Sequence, residues 1–213
     1  TDSSKRDRFS FKDMGRITKD RRFMAFSFIS IFLFIMFGQM SSTFAVFATA
    51  RVGISMAEIG YLYAMNGLMV VLIQFPVARM INHYRMTRVI AFGSLLYAIG
   101  YGIVGFAPGF EYLAMCMFIT TMGEIIVSPS SMTLVAKMSP EKERGRYQGM
   151  YGLVGNFGFS AGPFFGGVLF DSLSHEPVLL WAAIGSFGLM SGLGFLVLSR
   201  WLPERTDRVS ESD

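Results

Sequence analysis

Residues 111–138 read EYLAMCMFITTMGEIIVSPSSMTLVAKM, and the interior of this stretch carries a single charge, Glu124. At about 1.5 Å of rise per helical residue, the stretch is long enough to cross the roughly 30 Å hydrocarbon core of a bilayer. A charge at that depth costs on the order of 2.5–3.5 kcal/mol, so a carboxylate persists there only with a partner, a wet cavity or a proton. We therefore predict a functional role for Glu124, and we expect Pro129 to bend or open the helix just before it.

Charged residues are scarce and clustered along the rest of the chain. They make up 16% of the 213 residues, against about 25% in an average soluble domain. Six runs of about 20 residues or longer result, which is the length typical of transmembrane helices. The runs cover residues 23–50, 59–78, 89–110, 112–136 around Glu124, 147–170 and 177–199. The sequence therefore predicts an all-α polytopic membrane protein with six transmembrane helices.

Lysine and arginine predict the orientation of these helices. If the helices alternate in direction, every lysine and arginine except Arg51 falls on one side of the membrane. By the positive-inside rule that side is cytoplasmic, so we expect a multi-pass protein of the plasma (inner) membrane with both termini in the cytoplasm. The net charge of +4 follows from this topology, and we predict no nucleic-acid partner. Cys116 is the only cysteine, which excludes an intrachain disulfide, and we predict neither a metal site nor a cofactor.

Uncharged polar residues recur in a pattern along the six runs. Runs one, two, four and five carry polar groups at depth, whereas runs three and six carry mainly serines, tyrosines or glycines. This order predicts two inverted three-helix repeats, with helices one, two, four and five around a shared cavity and helices three and six facing lipid as scaffold. The predicted divisions are a cytoplasmic linker at residues 1–22, repeats at 23–107 and 108–201, and a cytoplasmic tail at 202–213.

Seven polar side chains are candidates for lining the cavity or contacting a substrate. They are Gln39, Thr43, Asn66, Gln74, Thr120, Ser128 and Asn156. Each of the amides has an equal alternative as an interhelical hydrogen bond, worth about 0.6 kcal/mol. Glu58 is not a candidate, because Ser55 and Glu58 fit a capping box at a helix start.

The most specific motif lies in the fifth run, where residues 158–167 read GFSAGPFFGG. Glycines four apart form a smooth helix face that lets a neighbouring backbone approach closely, and a proline adds a bend. Tight packing alone explains the spaced glycines but not Gly-Pro followed by Gly-Gly. The motif residues are Gly158, Gly162, Pro163, Gly166 and Gly167.

This pattern resembles the antiporter-type motif of the major facilitator superfamily. Residues 19–23 (KDRRF) resemble the end of that family's central cytoplasmic loop, and residues 144–149 (RGRYQG) resemble the entry into its eleventh helix. Residues 76–88 resemble its loop between the second and third helices of a half. The loop-motif residues are Asn82, Arg85 and Arg88. The resemblance covers nearly the whole chain, as the C-terminal six of twelve helices.

The resemblance implies a secondary active transporter that moves small solutes by alternating access. Together with Glu124 as the proton-coupling candidate, it favours proton-coupled efflux, or antiport, of lipophilic compounds. Phe and Met in the cavity would suit apolar, variable substrates. The implied partners are the lipid bilayer, a small-molecule substrate, protons, and an N-terminal six-helix half or a second copy of the chain. Proton-coupled uptake symport of a polar metabolite is the alternative.

Two alternatives from other classes remain. One is a non-transporting membrane subunit. The other is a six-helix intramembrane serine protease, because residues 158–162 also read G-x-S-x-G around Ser160. A serine nucleophile needs a base within about 3 Å, and both histidines, His83 and His175, stand in predicted turns. A transporter is therefore favoured over an enzyme. An ATP-binding loop is also missing from the sequence, which argues against a self-contained ATP-driven pump.

Overall fold

Six long helices make up the computed structural model, which describes residue 15, residues 17–81 and residues 83–208. Each helix, with its short extensions, is long and apolar enough to cross a membrane, and no strand occurs among the described residues. The prediction of an all-α fold with six transmembrane helices is confirmed. The helices are α1 (Arg21–Met40), α2 (Met56–Ile81), α3 (Met86–Gly102), α4 (Phe110–Met138), α5 (Arg144–Leu173) and α6 (Pro177–Trp201).

The first predicted span is not one regular helix. After α1 the chain forms a short helix, Thr43–Phe47, and then a π-helical turn, Ala48–Val52. The turn ends at Gly53, whose φ of +83° lies in the left-handed region that glycine adopts without a steric penalty. The first span therefore consists of an α-helix, a short helix and a π-helical turn in succession.

Two local expectations have opposite outcomes. Ser55 donates from its backbone N and its Oγ to Glu58 Oε2, each at 2.7 Å, and Glu58 N donates to Ser55 Oγ at 3.2 Å, so the capping box is confirmed. The expectation that the fourth span opens before Pro129 is wrong, because α4 runs unbroken from Phe110 to Met138. The proline removes one backbone N–H, and the bonds of the remaining turns preserve the helix.

The six helices contact each other in a pattern that two inverted repeats would produce. Helix α1 packs against α5 and α6, α4 packs against α2 and α3, and α3 packs against α6. Exchanging α1 with α4, α2 with α5 and α3 with α6 leaves this set of contacts unchanged. Because each repeat contains an odd number of spans, the second repeat crosses the membrane in the opposite direction to the first.

Helices α3 and α6 are among the more buried helices of the six. In the most hydrophobic part of α3 and α6, 56% and 44% of the residues are buried, against 6% in α2 and 22% in α5. Glycines permit the close contact between α3 and α6, since a Cβ on Gly188 would lie 2.9 Å from the Ser94 carbonyl oxygen. These two helices therefore pack against each other with one face, and exposed apolar side chains such as Phe92 and Leu193 occupy the other.

Candidate functional site

A partly open cavity of about 640 Å³ lies among helices α1 to α5. Helices α1, α2, α4 and α5 all contribute to its wall, as the polar pattern predicted, while α3 adds two tyrosines. The described lining residues are Leu33, Phe34, Phe37, Met40, Ser41, Tyr63, Tyr97, Tyr101, Thr120, Glu124, Val127, Ser128, Ser131, Met132, Tyr151, Gly152, Gly155, Asn156 and Phe159. The cavity volume is within the range of about 300–1,000 Å³ that small-ligand pockets occupy.

Aromatic rings form a connected wall of this cavity. The ring of Phe37 stands edge-on to Tyr97 with centroids 5.1 Å apart, and Tyr97 stacks on Tyr101 with centroids 6.1 Å apart. The row of rings continues through Phe34, whose ring centroid lies 5.7 Å from that of Phe37 and 5.3 Å from that of Tyr151. Such contacts between rings fix the orientation of the wall before any ligand enters.

The tyrosines of α3 were missed by the sequence interpretation, which assigned that helix to the scaffold. The available signal was their spacing, because Tyr97 and Tyr101 are four residues apart and therefore share one helix face. Tyr63 is also a lining residue, and its hydroxyl donates to the Met40 carbonyl oxygen at 2.7 Å, linking α2 to the end of α1. Tyrosine in an apolar run is therefore as good a candidate for a cavity-lining residue as asparagine or glutamine.

Glu124 is half-buried in the cavity wall and is held by an amide from α2. Asn66 Nδ2 donates to Glu124 Oε2 at 3.0 Å and to Thr121 Oγ1 at 2.9 Å. Thr121 in turn donates its hydroxyl hydrogen to the Met117 carbonyl oxygen at 2.7 Å, so its oxygen is free to accept from Asn66. Among the described residues no cationic side chain lies within salt-bridge distance of Glu124. The carboxylate therefore has a neutral hydrogen-bond partner and access to the cavity.

Three of the seven polar candidates line the same cavity as Glu124. Thr120 and Ser128 lie on α4, one turn to either side of the carboxylate, and Asn156 faces them from α5. The Thr120 hydroxyl bonds to the carbonyl oxygens of Cys116 and Met117, at 3.1 and 2.9 Å. This hydroxyl therefore offers a ligand mainly its oxygen lone pairs.

The other four candidates lie outside the lining of the large cavity. Gln39 is buried between α1 and α5, where its Nε2 donates to the Gly162 carbonyl oxygen at 2.8 Å, so its amide serves as an interhelical bond. Thr43 borders a smaller cavity of about 170 Å³ near Pro163. Asn66 acts on the large cavity through Glu124, and Gln74 is half-buried further along α2.

The glycine motif of α5 lies against α1. A Cβ on Gly162 would be 2.7 Å from the Ile35 carbonyl oxygen and 2.8 Å from the Gly38 Cα, so the two backbones touch at this point. A Cβ on Gly158 would be 2.6 Å from the Phe34 Cβ, and one on Gly166 would collide with the Thr43 hydroxyl and the Gln39 amide. At Gly167, by contrast, a Cβ would meet open space. One face of the motif thus sets the distance between the two helices that flank the cavity.

Arg85 of the loop motif joins the α2–α3 turn to the segment that follows α6. Arg85 Nε lies 2.7 Å from Asp207 Oδ2, and Arg85 also donates to the carbonyl oxygens of Ser199 and Leu202. Asp207, which is fully buried, further accepts from Thr87 N at 2.8 Å and from Thr87 Oγ1 at 2.6 Å. Asp207 belongs to a short helix, Glu204–Asp207, after α6.

The other two residues of the loop motif have different positions. Arg88 is exposed at the start of α3. Asn82 lies outside the described residues.

The serine of the protease-like pattern has no catalytic surroundings. Ser160 is exposed on α5, away from the cavity lining. His83 and His175 lie in the α2–α3 and α5–α6 turns, outside the six helices. The G-x-S-x-G pattern is therefore a consequence of the glycine spacing on α5.

Comparison with known proteins agrees with this architecture. The model of the Major Facilitator Superfamily matches residues 27–212. An uncharacterised MFS-type transporter of Bacillus subtilis, YttB, is 28% identical over 80% of this chain and 44% of its own length. The multidrug resistance protein MdtH of Salmonella arizonae is 24% identical over 84% of this chain and 45% of its own length.

A third relative, a Na(+), Li(+), K(+)/H(+) antiporter of Planococcus maritimus, is 24% identical over 92% of this chain and 49% of its own length. The chain thus spans about half the length of the curated relatives it matches. The family match covers all six helices, apart from the first turns of α1. With its six-helix fold and its cavity, the chain belongs to the major facilitator superfamily, a family of membrane transporters.

Proposed function

We propose that this chain is one half of a secondary active transporter that exports lipophilic compounds in exchange for protons. The observation that carries the proposal is Glu124, a carboxylate in a cavity wall, hydrogen-bonded to the neutral Asn66 and lacking a cationic partner among the described residues. A structural ion pair would have supplied a fixed positive charge. Without one, the carboxylate at this depth can be neutralised by a proton or by a bound cation.

The proposed cycle uses the two hydrogen-bonding states of Glu124. When ionised, the carboxylate accepts a stronger, charge-assisted hydrogen bond from Asn66. When protonated, it has weaker attraction for the amide and no charge to solvate, which favours the conformation in which the cavity opens to the other side of the membrane. Protonation would thus bias the contact between α2 and α4, and alternating access would follow from movement of the two repeats.

The partner is proposed to be an N-terminal six-helix half, with a second copy of this chain as the alternative. Helices α2 and α5, which contribute to the cavity wall, are the least buried of the six membrane spans. Their exposed apolar side chains include Leu68, Val71, Leu72, Phe75, Leu153, Phe157 and Phe164. A second six-helix unit on these exposed side chains would enclose the cavity, and the length of the relatives supports the presence of such a unit.

The proposal also includes the orientation of the chain in the membrane and the direction of transport. The excess of lysine and arginine at one end favours cytoplasmic termini in a plasma (inner) membrane. Relatives named as a multidrug resistance protein and as a cation/proton antiporter support efflux by antiport. Uptake symport is the second candidate, favoured by the polar groups of Thr120, Ser128 and Asn156 on the cavity wall.

The test is transport by the purified transporter, with its other half present, in liposomes that carry an imposed pH gradient. Ethidium serves as the lipophilic probe, and its movement is followed by fluorescence. We expect the wild type to move ethidium against the proton flow, Glu124→Gln to lose this gradient-dependent movement, and Glu58→Gln to retain it. Gradient-dependent movement by Glu124→Gln at the wild-type rate would contradict the proposed role, and ethidium movement along the proton flow would favour symport.

A further inference from the structure

A small cavity of about 140 Å³, called the basic cavity below, lies at the end of the bundle where α1 begins and where α4 and α6 end. It is too small for a drug-sized ligand, since the pockets for such ligands measure about 300–1,000 Å³. Its size suits a single small polar group instead. Its described lining residues, none of which lines the large cavity, are Asp20, Arg22, Lys137, Met138, Leu202 and Thr206.

The one carboxylate of the basic cavity is already engaged by the protein. Asp20 Oδ1 accepts hydrogen bonds from Arg22 N and Phe23 N, each at 3.1 Å, and the Tyr147 hydroxyl donates to Oδ2 at 3.2 Å. Asp20 is thus the N-cap of α1, and its negative charge offsets the positive end of the helix dipole. Both of its oxygens therefore have donors other than the two cationic side chains of the cavity.

Those two cationic side chains present donors to the basic cavity. Lys137 Nζ is held at the cavity by a hydrogen bond to the Arg208 carbonyl oxygen at 2.8 Å. Arg22 is exposed, and no carboxylate of the described residues lies within salt-bridge distance of its guanidinium. A guanidinium offers a planar fork of N–H donors that matches the oxygens of a phosphate. With the hydroxyl of Thr206 as a further donor, the cavity suits a small oxyanion.

The position of the basic cavity indicates where such an oxyanion would come from. Trp201, the last residue of α6, is 63% exposed, and it directly precedes the cavity residue Leu202. Tryptophan is enriched at the depth of the lipid headgroups, where its ring lies between the hydrocarbon and water. The ends of three membrane-spanning helices surround the cavity at the same level. The phosphates of a bilayer lie at this depth.

We propose that the basic cavity binds the phosphate group of an anionic phospholipid. Arg22 and Lys137 contact the phosphate oxygens, Thr206 donates a hydrogen bond, and the acyl chains extend past Trp201 into the bilayer. Basic pockets at the ends of transmembrane helices are suited to anionic headgroups, because each lysine or arginine attracts their charge. Free inorganic phosphate offers the same oxygens, but it lacks the apolar chains that would lie beside Trp201. The bound lipid would join the start of α1 to the end of α4 and to the segment after α6.

The test measures lipid binding, which does not depend on transport. The purified transporter, with its other half present, is titrated in neutral detergent with phosphatidylglycerol or with phosphatidylcholine of the same acyl chains. Native mass spectrometry counts the bound lipids. We expect phosphatidylglycerol to bind at least about fivefold more tightly than phosphatidylcholine, which is the scale of one basic residue at an anionic membrane surface. A large excess of inorganic phosphate should leave phosphatidylglycerol bound.

Two neighbouring arginines provide a matched pair of variants. Arg22→Gln should weaken phosphatidylglycerol binding about fivefold and leave phosphatidylcholine binding unchanged, since it removes one cation from the cavity. Arg21→Gln removes the same charge from an exposed position outside the cavity lining and should bind as the wild type does. Arg22→Lys keeps the charge and should bind phosphatidylglycerol more tightly than Arg22→Gln.

Three results would overturn the inference. Equal affinity of the wild type for the two lipids would refute the preference for an anionic headgroup even if a variant failed to fold. Equal weakening by Arg21→Gln and Arg22→Gln would show that diffuse surface charge, and not the basic cavity, attracts the lipid. Displacement of phosphatidylglycerol by inorganic phosphate would refute the phospholipid as the source of the phosphate group.

Discussion

Replacing Asp207 with alanine should destabilise the protein strongly, whereas replacing Glu204, on the same short helix, should not. Both carboxylates face Arg85, but they differ in burial and distance. The Asp207 side chain is fully buried at 2.7 Å from Arg85 Nε, and Glu204 is 68% exposed at 3.9 Å from Arg85 Nη1. Asp207 also accepts two hydrogen bonds from Thr87.

The magnitudes follow from the environment of each pair. Removing Asp207 leaves the largely buried Arg85 guanidinium and the buried Thr87 donors without their acceptor, which costs about 3–5 kcal/mol of unfolding free energy for a buried pair. Removing Glu204 costs about 0–1 kcal/mol, because an exposed ion pair gains little over solvation of its charges. Asp207→Ala should also remove less unfolding free energy in an Arg85→Ala background than in the wild type. The expected coupling between the two sites is about 0.5–3 kcal/mol.

The assay is equilibrium unfolding of the purified protein in mixed detergent, with helix content as the signal, for wild type, Asp207→Ala, Glu204→Ala, Arg85→Ala and the Arg85→Ala, Asp207→Ala double variant. Equal losses for Asp207→Ala and Glu204→Ala would refute the reasoning. Additive losses in the double variant would show that Arg85 and Asp207 do not stabilise the protein through each other.

Two further predictions address the helix interface and the topology. Gly162→Leu places a side chain where the α1 and α5 backbones touch and should cost at least about 1–3 kcal/mol of unfolding free energy, whereas Gly167→Leu, facing open space, should change it by no more than about 0.5 kcal/mol. Equal effects of the two leucines in a thermal-unfolding assay would show that the motif does not mark a close contact. Single cysteines at the exposed positions His83 and His175, in a background without the native cysteine, should differ in labelling by an impermeant thiol reagent. Labelling at His175 and protection at His83 in intact cells is expected, and the reverse pattern would overturn the orientation.

The number and position of the helices could be predicted from the sequence because charge is so costly in the membrane. Each predicted run lies within, or within a few residues of, an observed membrane span, and the capping box at Ser55 was correct in its atomic detail. The break after α1 was not predicted, since Ser41 to Thr43 look like polar groups in a continuous apolar run. At the break the hydroxyls of Ser41 and Ser42 both donate to the Gly38 carbonyl oxygen, at 3.4 and 2.7 Å, and hydropathy does not reveal this local competition with the helix bonds.

The inward face of each helix was far harder to predict. A helix in a bilayer is apolar on all sides, so hydrophobic periodicity does not separate the packed face from the lipid face. Glu124 could be identified as a candidate site residue because a charge at depth is rare. Gly162 could be identified as a close-packing residue because the spacing of the glycines is specific. Tyr97 could not be placed in the cavity from composition alone, and the bond from Asn66 to Glu124 joins residues that are 58 positions apart.

The central claim is that Glu124 exchanges protons while the substrate moves, and coupled proton flux tests it most directly. Liposomes containing the purified transporter, with its other half present, are loaded with ethidium, and the internal pH is followed as ethidium leaves along its own gradient. Exchange of labelled for unlabelled ethidium is measured in the same preparation, because exchange requires binding and conformational change but no net proton release. We predict that the wild type shows both signals and that Glu124→Gln retains exchange but shows no ethidium-driven pH change. An ethidium-driven pH change of wild-type size in Glu124→Gln would contradict the claim.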